Sequence, residues 1–304
     1  TNHAFNLNFF VHDAPVPDAE NEAAMQQRLA PYYNELELGD APAARSIFPI
    51  FGKEMLAVVT ELSPKVASFH FGLPERAMID ALKEAGAVIL ASATTVCEAI
   101  ALEAGGADAV IAQGVEAGGH RGTFLGDVES GTVGTFALVP QVVDAVRVPV
   151  IAAGGVADGR GIAAAFALGA SGAQIGTAFL ACPEAQIHPV HRELLLQTPS
   201  DIHRKALGEA RDDQTALTNL FSGRPARAIV NRYITEMNES GAEPLAFPLQ
   251  YSLSGPLNAA SRKNDSSELM VMWAGQGAAL AQVLSAGELL TKLAADAKTV
   301  LAEM

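Results

Sequence analysis

Cysteine is scarce: only Cys97 and Cys182 occur in 304 residues, far apart and forming no CxxC pair. That count argues against a disulfide framework or a redox motif, and it suits buried thiols in a reducing compartment, the cytoplasm. Positive charge is also short, with 20 Lys and Arg against 34 Asp and Glu and a net charge of −14. A nucleic-acid partner would need a basic face, so none is expected. An anionic small molecule needs only local positive potential, and that stays open. No apolar run reaches the roughly 18–20 residues of a membrane helix, and Thr1-Asn2-His3-Ala4 carries neither the charged nor the apolar part of a signal peptide. The chain also lacks a Gly-x-Gly-x-x-Gly fingerprint, a Gly-Lys-Ser/Thr phosphate loop and a Gly-x-Ser-x-Gly elbow. No His, Cys, Asp and Glu cluster has metal-ligand spacing, so no metal is expected.

What is present is a large apolar fraction. Apolar residues make up 49% and charged residues 18%, a composition for a sizeable core and against disorder. Short apolar runs alternate with helical stretches through the first two-thirds of the chain. The runs are Phe5–Val11, Val66–Phe71, Val88–Ala93, Ala109–Gln113, Val150–Ala153 and Ala173–Leu180. They lack clean polar alternation, as strands buried on both faces do. Between them, Glu75–Glu84 and Gly161–Leu168 carry apolar residues at helical spacing and stop at Gly86 and Gly169. Repeated strand-then-helix order predicts a parallel α/β sheet.

Two consecutive units carry glycine at the strand end: Gly154-Gly155, running into a helix, and then Gln174-Ile175-Gly176-Thr177. Such a pair suits the phosphate site that a (β/α)8 TIM barrel builds after strands 7 and 8. On that count Phe5–Val11 is strand 3, strands 1 and 2 lie outside this sequence, and roughly sixty residues, two βα units, are expected ahead of Thr1. Residues 1–197 then form the barrel, 198–265 a cap over its mouth, with Pro183–Gln197 expected as helix, and 266–304 C-terminal helices that return to the barrel, including Glu288–Ala302.

The most informative segment is Ala112-Gln113-Gly114-Val115-Glu116-Ala117-Gly118-Gly119-His120-Arg121-Gly122. It starts at the C-terminal end of a strand, where barrel enzymes keep their chemistry. Its glycines permit close backbone approach to a flat ligand, and His120 can donate or take a proton near neutral pH; a solvated surface turn is the competing reading. The glycine loops offer backbone N–H groups and the Thr177 hydroxyl to a phosphate monoester, so a mononucleotide such as FMN fits better than NAD or ATP. His70 ends a strand and suits either the barrel mouth or a packed core. Asn8, polar within an apolar strand, should meet a ligand or a satisfied buried network. His188, His191 and His203 fall on polar helical sequence and are expected on a solvated face.

These motifs resemble the nitronate monooxygenase (2-nitropropane dioxygenase) family, bacterial class I in type, from Phe5-Asn6-Leu7-Asn8 to Trp273-Ala274-Gly275-Gln276-Gly277. Ser68–Gly72, the Glu-Ala-Gly-Gly-His-Arg-Gly core, Ala152–Gly161 and Gln174–Phe179 carry the resemblance. It implies non-covalent FMN held by Asn8, Gln113, Gly118, Gly154, Gly155, Gln174, Ile175, Gly176 and Thr177. It places His120 above the isoalloxazine as the catalytic residue, with His70 and Tyr251 around the substrate. Arg121 is expected to supply positive potential or to make an outward salt bridge. Gly255 stands four residues after Tyr251, where some relatives carry lysine. The implied reaction is oxidation of alkyl nitronates such as propionate 3-nitronate by O2, through a flavin semiquinone, to a carbonyl compound and nitrite or nitrate. A soluble protein acting on small molecules is implied, with a homodimer left open. The alternatives are an NAD(P)H-dependent FMN reductase of quinone or enoyl-ACP type, and a barrel that binds a phosphorylated ligand without turnover.

Overall fold

A computed structural model describes residues 3–197, 215–241 and 243–303. The strands run β1 (Asn6–Phe10), β2 (Val66–His70), β3 (Val88–Ala93), β4 (Ala109–Gln113), β5 (Gly119–His120), β6 (Val150–Ala153), β7 (Gly172–Gln174), β8 (Thr215–Thr218) and β9 (Ala226–Ile229). The helices are α1 (Ala19–Glu35), α2 (Lys53–Leu62), α3 (Arg76–Glu84), α4 (Val96–Gly105), α5 (Thr135–Ala145), α6 (Gly159–Ala167), α7 (Thr177–Leu180), α8 (Pro189–Gln197), α9 (Arg232–Glu239), α10 (Leu249–Lys263) and α11 (Ala286–Glu303). His203 lies outside the described residues.

Six strands form one sheet, ordered β1-β2-β3-β4-β6-β7, with every neighbouring pair parallel. Sequential neighbours in a parallel sheet need crossover helices, and the expected strand–helix alternation supplies them. β1 and β7 stand at the two edges and do not pair with each other.

One face of each strand meets the helices. Ala67 and Phe69 on β2, Ile89 and Ala91 on β3, Val110 and Ala112 on β4, and Val150 and Ala152 on β6 join the main apolar cluster with Ile79, Leu82 and Leu102. Because side chains alternate, Asn6, Asn8, Ser68, His70, Ser92 and Gln113 share the other face. Polar alternation, not expected from the runs themselves, is therefore present at the strand ends nearest the site. There Asn6 Nδ2 donates to Ser68 Oγ, which donates to Asn8 Oδ1, both at 2.8 Å.

Three elements differ in extent from expectation, two of them shorter and one starting earlier. The run Ala173–Leu180 is a three-residue strand followed by a separate helical turn. Gly176, at φ −109 and ψ −66, leaves the extended conformation there and breaks the run. The helix expected over Pro183–Gln197 begins only at Pro189, because proline favours the first helical position and pushes the preceding residue out of it. Residues 161–168 start helical two residues earlier, at Gly159, because Asp158 caps the helix by accepting from Gly161 N at 3.0 Å.

A second apolar cluster combines Leu220, Phe221, Tyr233 and Leu253 with Met25, Leu29, Tyr32 and Tyr33 of α1. Tyr33 Oη donates to Leu253 O at 2.7 Å. The layer over the sheet thus draws on α1 as well as on the stretch expected as a cap. A small antiparallel sheet, β5-β9-β8, links the two layers. At the far side Leu289 and Leu293 of α11 pack with Ala157 and Ala178, so the last helix closes over α6 and α7.

Candidate active site

The loop after β4 is built around a buried cation. Arg121 is 1% exposed, and its guanidinium donates to three backbone carbonyls: Gly114 at 2.6 Å, Gln113 at 2.9 Å and Gly131 at 2.9 Å. The outward salt bridge expected for Arg121 does not form, since its guanidinium points into the loop, while its positive charge still reaches His70. Burial, with Arg227 nearby, draws its pKa down to about 10, so it stays protonated. The loop folds back upon it because β5 pairs with β9, Gly119 opposite Arg227 and His120 opposite Ala226, while Arg121 N donates to Pro225 O at 2.8 Å.

Gln113 and His70 complete the brace. Gln113 Nε2 donates to His120 O at 2.9 Å, and Gln113 Oε1 accepts from Gly122 N at 2.8 Å. His70 Nε2 lies 3.0 Å from the same His120 carbonyl, which makes it the donor and leaves Nδ1 unprotonated in the neutral ring. Its neighbour Phe71 has φ 74, a left-handed conformation costly for a bulky residue. That turn sets the Phe71 ring beside His120, 5.8 Å between centroids.

His120 therefore sits fixed inside a ring of aromatics. Centroid distances are 5.6 Å to Phe10, 5.8 Å to Phe247, 6.1 Å to Tyr251 and 5.4 Å to Trp273. Its Nε2 is buried and has no hydrogen-bond partner. A buried polar atom without a partner loses its hydration uncompensated, so this atom has hydrogen-bonding capacity left unused within the chain. Burial, assisted by the nearby His70 and Arg224, holds the His120 imidazole down at about 3, and burial brings His70 to about 4. Both are neutral at pH 7. Burial raises Tyr251 to about 12, with the Trp273 side chain bonded to it.

Beneath the loop lies a cavity of about 260 Å3. Among the expected cofactor contacts, Gln113, Gly118, Gly154, Gly155, Gln174, Gly176 and Thr177 line it. Asn8 does not; it borders a separate apolar cavity with Phe10, Phe48 and Met55. Ile175 packs into the apolar cluster under α11 instead, because its side chain alternates away from that of Gln174. Gly154 and Gly155 have φ 108 and 70, which turns successive backbone groups toward the cavity. Thr177 Oγ1 accepts from Gly275 N at 2.9 Å, leaving its own proton free to donate. Glu116 also lines the cavity, with both carboxylate oxygens on Thr135 N at the start of α5, where the helix dipole favours negative charge.

His188 and His191 are not on a solvated face. His191 is buried, its Nε2 without a partner, and burial lowers its pKa to about 4. His188 lies 3.4 Å from Asp265. Among the described residues no group of His, Cys, Asp and Glu could hold a metal ion, and no helix is long and apolar enough to cross a membrane.

Several residues of the site had no sequence signal. Phe10 fell within an apolar strand run and Phe247 within the stretch expected as a cap, and Arg224 carries no local pattern that sets it apart. Glu116 stood inside the glycine-rich segment without a role. Trp273 was legible only as part of a resemblance.

Comparisons with known proteins place the chain in a family. The family profile described as nitronate monooxygenase matches residues 1–296. A protein named nitronate monooxygenase from Paraburkholderia phytofirmans is 43% identical, over 98% of this chain and 79% of its own length. One of the same name from Pseudomonas aeruginosa is 40% identical, over 96% of this chain and 81% of its own length. The solved structure of nitroalkane oxidase from Streptomyces ansochromogenes superposes with a TM-score of 0.86 at 38% identity, over 100% of this chain and 83% of that one.

Proposed function

The chain belongs to the nitronate monooxygenase family, an oxidoreductase family, and from that premise we propose that it oxidises alkyl nitronates, such as propionate 3-nitronate, with O2 and FMN. The observation that carries the reading is the orphaned, buried Nε2 of His120, held among aromatic rings beside a glycine-lined cavity. On this reading the six parallel strands are staves of an α/β barrel, and the site lies at their C-terminal ends, as in other barrels.

The residues present fit the cofactor. Gly154 and Gly155, with the N–H groups at the start of α7 and the Thr177 hydroxyl, would hold a phosphate without any basic side chain. A Cβ on Gly176 would meet nothing within 4 Å, so the cradle is open there. Gln113, Gly118 and Gln174 would complete the contacts, while the side chains of Asn8 and Ile175 fall outside this cradle. When bound, FMN supplies the electron transfer from nitronate to O2.

The chain's own residues orient and shield. Neutral His120 holds the nitronate oxygens as a donor from Nε2, and an anion placed there raises its pKa toward the neutral range. Tyr251 offers a second hydroxyl, positioned by Trp273. Phe10, Phe71 and Phe247 exclude water, which strengthens those hydrogen bonds. His70 and Gln113 act at one remove, by fixing the His120 carbonyl.

The test is anaerobic mixing of the purified yellow protein with propionate 3-nitronate, followed by visible spectroscopy and then O2 uptake. Nitronate-dependent change of the flavin spectrum, with no response to NADH, is expected. Bleaching by NADH without a nitronate response would make it a reductase, and a protein that cannot take up FMN would end the flavoenzyme reading.

A further inference from the structure

We propose that Arg224 is a specificity-determining residue that binds the carboxylate of a carboxylated nitronate substrate. The inference rests on the nitronate reading above and adds a residue to it.

Arg224 lies in the turn between β8 and β9. Ser222 Oγ accepts from Arg224 N at 3.1 Å and donates to Arg224 O at 2.8 Å, which pins the backbone. The guanidinium carbon stands 3.8 Å over the centroid of Phe71, the ring that the left-handed turn at Phe71 presses against His120. One amino group donates to Thr123 O, and the side chain is half-buried.

Its charge has no ion-pair partner among the described residues. Glu98 is the acid nearest in effect, yet its oxygens are taken. One accepts from the amides of Phe124 and Leu125, and the other from the amide and hydroxyl of Thr94. A half-buried cation whose only close acid is already saturated has donors to spare. In a chain of net charge −14, placing it beside the reacting histidine is not generic surface chemistry. The fork geometry of arginine matches a carboxylate. Arg224 is absent from the lining of the glycine cavity, so its anion is distinct from a cofactor phosphate. Arg224 lies 3.8 Å and His120 5.8 Å from the centroid of the same Phe71 ring, so an anion on one and a nitronate on the other would both border Phe71.

The experiment compares kcat and KM for propionate 3-nitronate and propyl-1-nitronate in the natural holoenzyme and in Arg224→Met and Arg224→Lys. Removing one charged contact should raise KM for the carboxylated substrate roughly 10- to 100-fold in Arg224→Met. The alkyl nitronate should lose only a few-fold, through the weakened field, and kcat should change less than KM. Arg224→Lys should restore part of the preference, since the charge returns without the fork. Parallel losses on both substrates, with no recovery in Arg224→Lys, would overturn the proposal and make Arg224 a structural brace. Equal preference in the natural enzyme would also overturn it. If the natural enzyme oxidises neither substrate, the functional reading itself falls and takes this inference with it.

Discussion

The loop after β4 and the loops after β6 and β7 both end at the same cavity, but they are held there in opposite ways. The first, residues 114–122, takes its shape from side chains that bond its backbone, Arg121 within it, Gln113 and His70 from strand ends, and from pairing with β9 in the covering layer. The second pair is shaped chiefly by backbone conformation, with positive φ at Gly154 and Gly155 and the short helix after Gly176, and is anchored at single points by Thr135 Oγ1 on Gly154 O and by Gly275 N on Thr177 Oγ1. The contrast separates two tasks. A loop that must aim a side chain needs that side chain's carbonyl and neighbours fixed from several directions. A loop that offers amides to a phosphate needs only the right dihedral angles and room.

Breaking the first loop should have the largest effect. Arg121→Met strips three carbonyls of their donor in a buried space and should cost roughly 5 kcal/mol of stability. Urea unfolding would measure it, and a loss under about 1 kcal/mol would mean that the brace is ornamental. Arg121→Lys should recover less than half, because one ammonium cannot span the three acceptors.

Acid should act on the same region almost as strongly. His70, His120 and His191 have native pKa values of about 4, 3 and 4 against 6.5 for a free imidazole. These depressed values mean that stability is full above pH 6.5 and is lost as pH falls below it, because the unfolded chain takes up protons first. Between pH 7.5 and 5.5 each histidine should remove about 1.4 kcal/mol, on the order of 4 in all, for the protein free of ligand. A flat urea midpoint over that range would show that these rings are not buried neutral.

Two glycine substitutions sharpen the comparison at smaller scale. A Cβ on Gly118 would lie 2.5 Å from Gly275 N and 2.6 Å from Ala274 C, backbone that cannot step aside. Gly118→Ala should therefore destabilise by about 2–3 kcal/mol. Gly176→Ala meets open space and has an ordinary φ, so its stability should change by less than about 0.5 kcal/mol. FMN affinity, read by flavin fluorescence on dilution, should nevertheless fall several-fold, since the methyl enters the cradle. Unchanged affinity in Gly176→Ala would move the phosphate elsewhere.

Much of this architecture could be read from residue order. The runs Val88–Ala93, Ala109–Gln113 and Val150–Ala153 are strands with those limits, because a buried parallel strand and its stop signals are both local. The glycines at 154, 155 and 176 were legible for the same reason. Arg121 was not: inside a polar, glycine-rich segment an arginine reads as solvent-facing, and only the folding of the loop around it supplies three carbonyls. His191 was misread similarly: the helix it sits on packs its Leu195 against Met270, Met272 and Ala274, and His191 is buried with it. The extent of β7 was overestimated because Ala173–Leu180 is largely apolar, and the break comes from the dihedral angles at Gly176.

By itself the sequence determined the alternation of strands and helices, the parallel order that follows from it, and the places where backbone conformation demands glycine. Those are short-range properties, set by side-chain periodicity and by the sterics of single residues. Only the tertiary structure decided that residues 10, 71, 247, 251 and 273 close around His120, that Arg121 turns inward, and that Arg224 has no ion-pair partner among the described residues. Each of these joins segments far apart in the chain. Their meeting depends on which surfaces the whole fold brings into contact, and no local pattern encodes it.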